Sequence, residues 1–374
     1  MMLLAGLAAF DSGELDAALV TGGARAIWNV ARQRLLRLID MCIAAVAALV
    51  FAEAELPPLV GVHVYAEEFL GQVALEPDPH LAAVHGWPMM VVALVCAAIL
   101  SRMPRLKAGA GAAVQLGWTG RWLHVPALWR RLLPTAALLA AAAPLLLLVL
   151  GAAKATGRWP SHAGTALVTS LWVAALSSLL AAAWGWAMAA AAAHVGEPAR
   201  SALTVLIWLS MLWPTALVGL AITAAGLPEW AGPAAPLVLA HTLRLLPFSA
   251  WLQLALREAR PRTAAEQLIA LGARGWAAWR FVCLPDALPA VAASFAVGAG
   301  LSLAELSATV LTVPAGMETT ILRLYNLLHY GDQRGVMLLA LLQGLTVAGL
   351  VTAVLAAWVR GTAARATRRE RAGD

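Results

Sequence analysis

Residues 266–285 read EQLIALGARGWAAWRFVCLP, a polar island between two long apolar runs, 234–256 and 287–313. Arg257, Arg260, Arg262, Arg274 and Arg280 lie in the island or just before it. Each flanking run exceeds twenty residues, and a helix of about twenty apolar residues crosses a hydrocarbon core of roughly 30 Å. The island therefore reads as a loop joining two membrane spans.

Working outward, the whole chain has this character. Of its 374 residues, 61% are hydrophobic and 12% charged, against roughly a quarter charged in a soluble domain. The apolar runs have no polar face, which a soluble core helix needs. The fold class read from this pattern is all-α, a polytopic membrane protein with about eight transmembrane helices. The spans are expected near 36–56, 86–101, 132–151, 163–193, 202–225, 234–256, 287–313 and 336–359. The three cysteines have no paired spacing and the eight histidines no ligand spacing, so neither a disulfide framework, a metal site nor a cofactor is expected. The net charge of +6 raises nucleic acid as a partner, but in a membrane chain basic residues mark cytoplasmic loops. With eight spans and both termini on one side, that side collects 21 of the Lys and Arg residues and the other only Lys154, Arg158, Arg323 and Arg334. The island, the segment 102–131 and the tail 360–374 are thus expected in the cytoplasm. The tail's arginines also suit contact with anionic membrane lipid.

The island recurs. Asp16 to Leu36 reads DAALVTGGARAIWNVARQRLL, and Asp16 to Gly22 repeats the spacing of Glu266 to Gly272. Glu53 follows Asp16 by 37 residues, and Glu305 follows Glu266 by 39. Six spans separate the islands, so two parallel halves are expected, related by an axis along the membrane normal. The division expected is 1–101 for the last part of a first repeat, 102–131 for a basic linker, 132–359 for a full second repeat, and 360–374 for the tail. Only fifteen residues precede Asp16, so the first half is expected to be incomplete, whether lost, separately encoded or begun too late.

The spacing E-x5-G-x9-V-x-L-P, carried by Glu266, Gly272, Val282, Leu284 and Pro285, resembles the signature loop of binding-protein-dependent ABC importer permeases, E-A-A-x3-G-x9-I-x-L-P. Gln267 and Leu268 stand where the family has alanines. The N-terminal copy keeps Asp16, Ala17, Ala18 and Gly22 and lacks the proline. HTLRLLPFSA and LAELSATVLTVPAG make the chain most similar to the two-repeat ferric-iron-type permeases. The resemblance implies the permease fold, one full six-helix half plus the last two helices of a first half, in the cell inner membrane. It also implies two short helices joined at Gly272 that dock on a cytoplasmic ABC ATPase, present as a homodimer. A periplasmic substrate-binding protein would deliver the solute, ferric iron being the expected one.

The residues themselves suit those roles. Gly272 tolerates a turn that a side chain resists, Glu266 offers a charge-assisted bond, and Trp276 and Trp279 offer apolar docking surface. Pro285 is expected to end the loop and open the next span. The coupling residues are therefore Glu266, Gly272, Trp276, Leu284 and Pro285 in the intact loop (257–285), with Asp16 and Gly22 in a degenerate one (16–36). Glu305, Glu53, Arg244 and His241 are candidates for the translocation path, since ionisable groups inside spans face cavities or partners. Each has a plainer alternative: the glutamates as interfacial groups, and Arg244 with His241 as a structural pairing with an acidic or carbonyl group. The only lysines are Lys107 and Lys154, and no G-x4-G-K-[ST] loop is present, so the chain is expected to be no enzyme and to borrow its ATPase. A non-transporting remnant or scaffold, and an ATPase-independent secondary transporter, are the competing readings.

Overall fold

The computed structural model describes residues 63–75, 78–101, 127–154, 161–192, 194–258, 275–330 and 335–350, with Gly272 and a few other isolated positions. Among these the chain is all-helical. The helices are α1 (Tyr65–Leu75), α2 (Pro79–Ser101), α3 (Ala127–Lys154), α4 (Ala163–Ala192), α5 (Glu197–Met211), α6 (Thr215–Ala225) and α7 (Ala235–Glu258). After these come α8 (Gly275–Ala278), α9 (Leu284–Leu303), α10 (Ser307–Thr312), α11 (Thr320–Tyr330) and α12 (Gly335–Leu350). The expected span 36–56 apart from Ile43 and Val46, residues 102–126 of the linker, the tail, Asp16, Gly22, Glu53 and Glu266 lie outside the described residues, and the last five residues of the expected linker, 127–131, belong to α3.

The core is the trio α4, α7 and α9, and its chemistry explains the helices. On α4 the buried face runs Ala163, Ala166, Ser170, Val173, Ala174, Ser177, Ser178, Ala181, Ala182, Gly185, Ala189 and Ala192, a stripe of mostly small side chains at steps of three and four. Its outer face carries the bulk, Leu171, Trp172, Leu176, Leu179 and Trp184, the last 62% exposed. Small residues inside and large apolar ones outside invert the plan of a soluble helix, and suit helices that associate by close approach in an apolar medium. A Cβ at Gly185 would stand 2.5 Å from Ser249 Oγ and 2.9 Å from the Ala250 nitrogen, and one at Gly298 would stand 3.1 Å from Ser178 Oγ. Three bonds cross from α4 to α7: Ser177 Oγ donates to the Val238 carbonyl at 3.2 Å, Gln253 Nε2 to Ala182 at 2.9 Å, and Arg257 Nη1 to Ala189 at 3.0 Å. The run 290–300 accordingly packs against α4.

Among the described residues, α4 and residues Ala235–Leu254 of α7 are long and apolar enough to cross a membrane. The pair α5–α6 makes a third candidate if a helix bent by 93° counts as one span. Shorter apolar helices, Val84–Leu100, Ala142–Lys154, Ala287–Leu303 and Gly335–Leu350, fall where four other spans are expected.

Two expected spans differ in form. Residues 202–225 are cut at Leu212–Pro214, because Pro214 has no N–H to continue α5 and instead serves as the N-cap of α6. Residues 287–313 are cut at Ala304–Leu306. There the Ala304 N–H turns back to Leu301 and Ser302, and Glu305 Oε1 accepts the Ala308 N–H at 3.1 Å.

The remaining helices wrap the trio. Ala93, Cys96, Ala97 and Leu100 of α2 pack on Trp208 of α5 and on Leu212. Ala66, Phe69 and Val73 of α1 pack with Met89 of α2 and with Ala216 and Leu220 of α6. The order short helix then apolar helix occurs twice: α1 and α11 each have 11 residues and start 255 apart, at 65 and 320, and α2 and α12 start 256 apart, at 79 and 335.

Candidate functional site

His241, Arg244 and Glu305, distant in sequence, come together where the two broken helices meet α7. His241 is 2% exposed and uses both ring nitrogens. Nδ1 lies 2.7 Å from Ser302 Oγ, at the end of α9, and Nε2 lies 2.9 Å from Thr309 Oγ1, in α10. Thr309 gives its one hydroxyl proton to the Glu305 carbonyl, so it must accept from Nε2–H. That makes the neutral ring the Nε2–H tautomer, with Nδ1 accepting from Ser302. One imidazole therefore holds both sides of the α9/α10 break.

Arg244, one turn along α7, holds the other break. Its Nη1 donates at 2.9 Å to the carbonyl of Met211, the last residue of α5, and its guanidinium sits 5.2 Å above the centre of the Phe248 ring. Nε lies 3.6 Å from Glu305 Oε2, with side-chain exposures of 20% and 12%. That is an ion pair too long for a hydrogen bond. Arg244 thus has both the acidic and the carbonyl partner expected of it. Sequence reasoning singled out the three ionisable groups and missed Ser302, Thr309 and Met211. The hydroxyls lie seven residues apart in an apolar run, and Pro214 flags the end of α5, but no residue type announces a carbonyl acceptor.

The second constellation is the described part of the island. Gly272 is exposed, with φ +90°, and Gly275 has φ +56°. Both are left-handed conformations that favour glycine. Trp276 and Trp279 stack with ring centres 4.6 Å apart and planes 23° from parallel, and are 71% and 38% exposed. From Trp279 to Cys283 the chain forms a π-turn in which the Leu284 N–H bonds to the Trp279 carbonyl. Leu284 is half-buried at the start of α9. Pro285 opens α9 as expected, but the residues just before it are already helical. It lies in the first turn of α9, and the helical path runs through it unbroken from Gly275 to Leu303. At about 1.5 Å per residue the path is roughly 40 Å long, with the π-turn and Pro289 within it, the tryptophan pair at one end and the Glu305 break just past the other.

A third polar group stands beside α11. Arg323 Nη1 donates to Glu318 Oε2 at 2.8 Å and Nη2 to Ser161 Oγ at 3.2 Å, tying α11 to the entry of α4. Among the described residues, no three His, Cys, Asp or Glu side chains are grouped to hold a metal ion. Comparison with protein-family models finds no match, and comparison with curated proteins finds no significant relative.

Proposed function

We propose that the chain is the multi-pass permease subunit of an ATP-driven importer of the cell inner membrane, with cytoplasmic termini and about eight spans arranged as in ABC importer permeases. It forms the path for a solute delivered by a periplasmic binding protein, ferric iron being the first to try, and it couples to separate ATPase subunits. The observation that carries the reading is the exposed, stacked Trp276–Trp279 pair. It follows the glycine-hinged E-x5-G segment and is joined without a break to α9. A flat, exposed aromatic surface on a helical element beside a basic island is what a protein partner's cleft would cover. On this reading Glu266, Gly272, Trp276, Leu284 and Pro285 couple, Asp16 and Gly22 belong to the weaker first loop, and Glu305, Glu53, Arg244 and His241 line the path.

The test is purification of the full chain from its native membranes in mild detergent. A Walker-type ATPase is expected to accompany it. Trp276→Ala/Trp279→Ala removes a hot-spot pair whose members are worth about 2 kcal/mol or more each, so association and ATP-driven uptake should both fall at least tenfold, and Glu266→Ala should weaken both. Association unchanged in all these variants would overturn the reading. The bent α5–α6 pair and the charged α9/α10 break favour one second reading, an ion-coupled carrier, since such carriers place ion and substrate sites at discontinuous helices. Uptake that persists without ATPase and collapses with an ionophore would select it.

A further inference from the structure

We infer that the α5/α6 and α9/α10 elbows form the outer gate of the path, that His241 and Arg244 are its latch, and that the helical segment Gly275–Leu303 works it from the cytoplasmic tryptophans. The inference rests on the importer reading and adds its regulation. The elbows touch through an apolar contact: a Cβ at Gly219 of α6 would lie 3.1 Å from Leu311 Cβ and 3.4 Å from Ala308 Cα of α10. Ile222, Ala240 and Ala308 close the same contact from three helices. Such a surface slides or parts with little directional resistance. Direction comes from α7, where His241 grips Ser302 and Thr309 and Arg244 grips Met211 and Glu305. His241 thus holds α7 to both sides of the α9/α10 elbow, and Arg244, bonded to Met211 and ion-paired with Glu305, links that elbow to the α5/α6 one.

The segment Gly275–Leu303 supplies the lever. The path from Trp276 and Trp279 to Ser302 is helical throughout but includes the π-turn Trp279–Cys283 and Pro289, so displacement of a docked tryptophan pair reaches Ser302 and Glu305 with part of it taken up as bending at those two points. The break at Ala304–Leu306 then converts that motion into strain on the bonds to His241 and Arg244. This gives the link a physical element with two arrangements, elbows seated or parted, which coupling between distant sites requires.

The experiment uses the full chain in membranes, with Cys42, Cys96 and Cys283 replaced by alanine and Gly219→Cys and Leu311→Cys introduced. The 3.1 Å separation of these Cβ positions is a few tenths of an ångström short of the disulfide range of about 3.5–4.5 Å, so a small outward shift of seated elbows lets oxidation cross-link them. Arg244→Met and His241→Leu should each slow cross-linking at least about fivefold, the low end of coupling between sites. Glu305→Gln, which keeps volume, should slow it in the same direction and serves if the other variants fail to fold. Rates within twofold of the parent in the folded variants overturn the latch. In the complex with the co-purifying ATPase, adding ATP should change the cross-linking rate, and the oxidised protein should lose uptake until reduced. A rate indifferent to ATP overturns the lever. If no ATPase accompanies the chain, the importer reading and the lever fall together, while the latch is still judged by the variant rates.

Discussion

Replacing Gly185 by alanine tests the close approach of α4 and α7 more directly than any other single change. The new methyl would meet Ser249 Oγ at 2.5 Å and the Ala250 backbone nitrogen at 2.9 Å. Rotating Ser249 relieves the first contact. Nothing relieves the second short of moving the helices apart by several tenths of an ångström. Overpacking of this kind costs about 1–3 kcal/mol. The same separation stretches the bonds from Ser177, Gln253 and Arg257 across the interface, each worth about 0.6 kcal/mol between apolar helices. A loss of about 2–4 kcal/mol results, offset by the gain of up to about 1 kcal/mol that alanine brings to a helix. Gly71→Ala is the control: it also lies within a helix, and its added Cβ meets nothing within 4 Å. The propensity gain is common to both, so their difference isolates the packing. Cys96 is buried and Cys283 exposed, so in a Cys42→Ser/Cys283→Ser background a thiol-reactive dye reports thermal opening through Cys96 alone. At roughly 1.3 °C per kcal/mol for a chain of this length, Gly185→Ala should open about 3–5 °C below Gly71→Ala. If the two variants open at the same temperature, the helices do not approach as described and the small-inside, large-outside account of the core is wrong.

Three further changes separate fold from coupling. His241→Leu leaves the hydroxyl of Ser302 without its acceptor and that of Thr309 without its donor, in a site 2% exposed; at about 1–3 kcal/mol per orphaned buried group, the same dye assay should show a loss of several degrees. Gly272→Val places a β-branched residue at φ +90° with no neighbour within 4 Å. The strain is local, about 1–2 kcal/mol, so thermal opening should fall by no more than about 3 °C while ATPase association weakens; the reverse pattern would refute a coupling role. Arg323→Ala removes the ties to Glu318 and Ser161; as the ion pair is part-exposed, stability should fall by no more than about 1 kcal/mol, with faster proteolysis beside α11 as the measurable consequence.

The class of the fold was legible because long apolar runs without a polar face admit few arrangements. α4, expected at 163–193 and found at 163–192, and α7, expected at 234–256 and found at 235–258, show how well length and composition locate a straight helix. The breaks were less legible. Pro214 stands in an unbroken apolar run, and hydropathy is blind to direction, so a right-angled bend leaves no trace in it. The α9/α10 break has no proline at all. It depends on a carboxylate folding back onto its own backbone, which spacing does not reveal. At the site, ionisable residues inside apolar runs stood out by their cost, whereas serine, threonine and a main-chain carbonyl, which complete the network, are cheap and common in such helices.

That network also explains why the breaks persist. Ending a helix leaves its last carbonyls and the next helix's first N–H groups unsatisfied, and in an apolar surrounding each such group costs several kcal/mol. At the end of α5 the Met211 carbonyl receives Arg244 Nη1. At the start of α10 the Ala308 N–H is taken by Glu305 Oε1. The charges this introduces are then set against each other at 3.6 Å, and His241 ties the two sides of the α9/α10 break. Arg244 and Glu305 thus satisfy the breaks and each other together, and removing either strands the other as well as a backbone group. The link between the two gaps is Arg244, hydrogen-bonded at one and ion-paired at 3.6 Å to the other, so it is the residue through which their opening is coupled, which two separately capped helix ends would not provide.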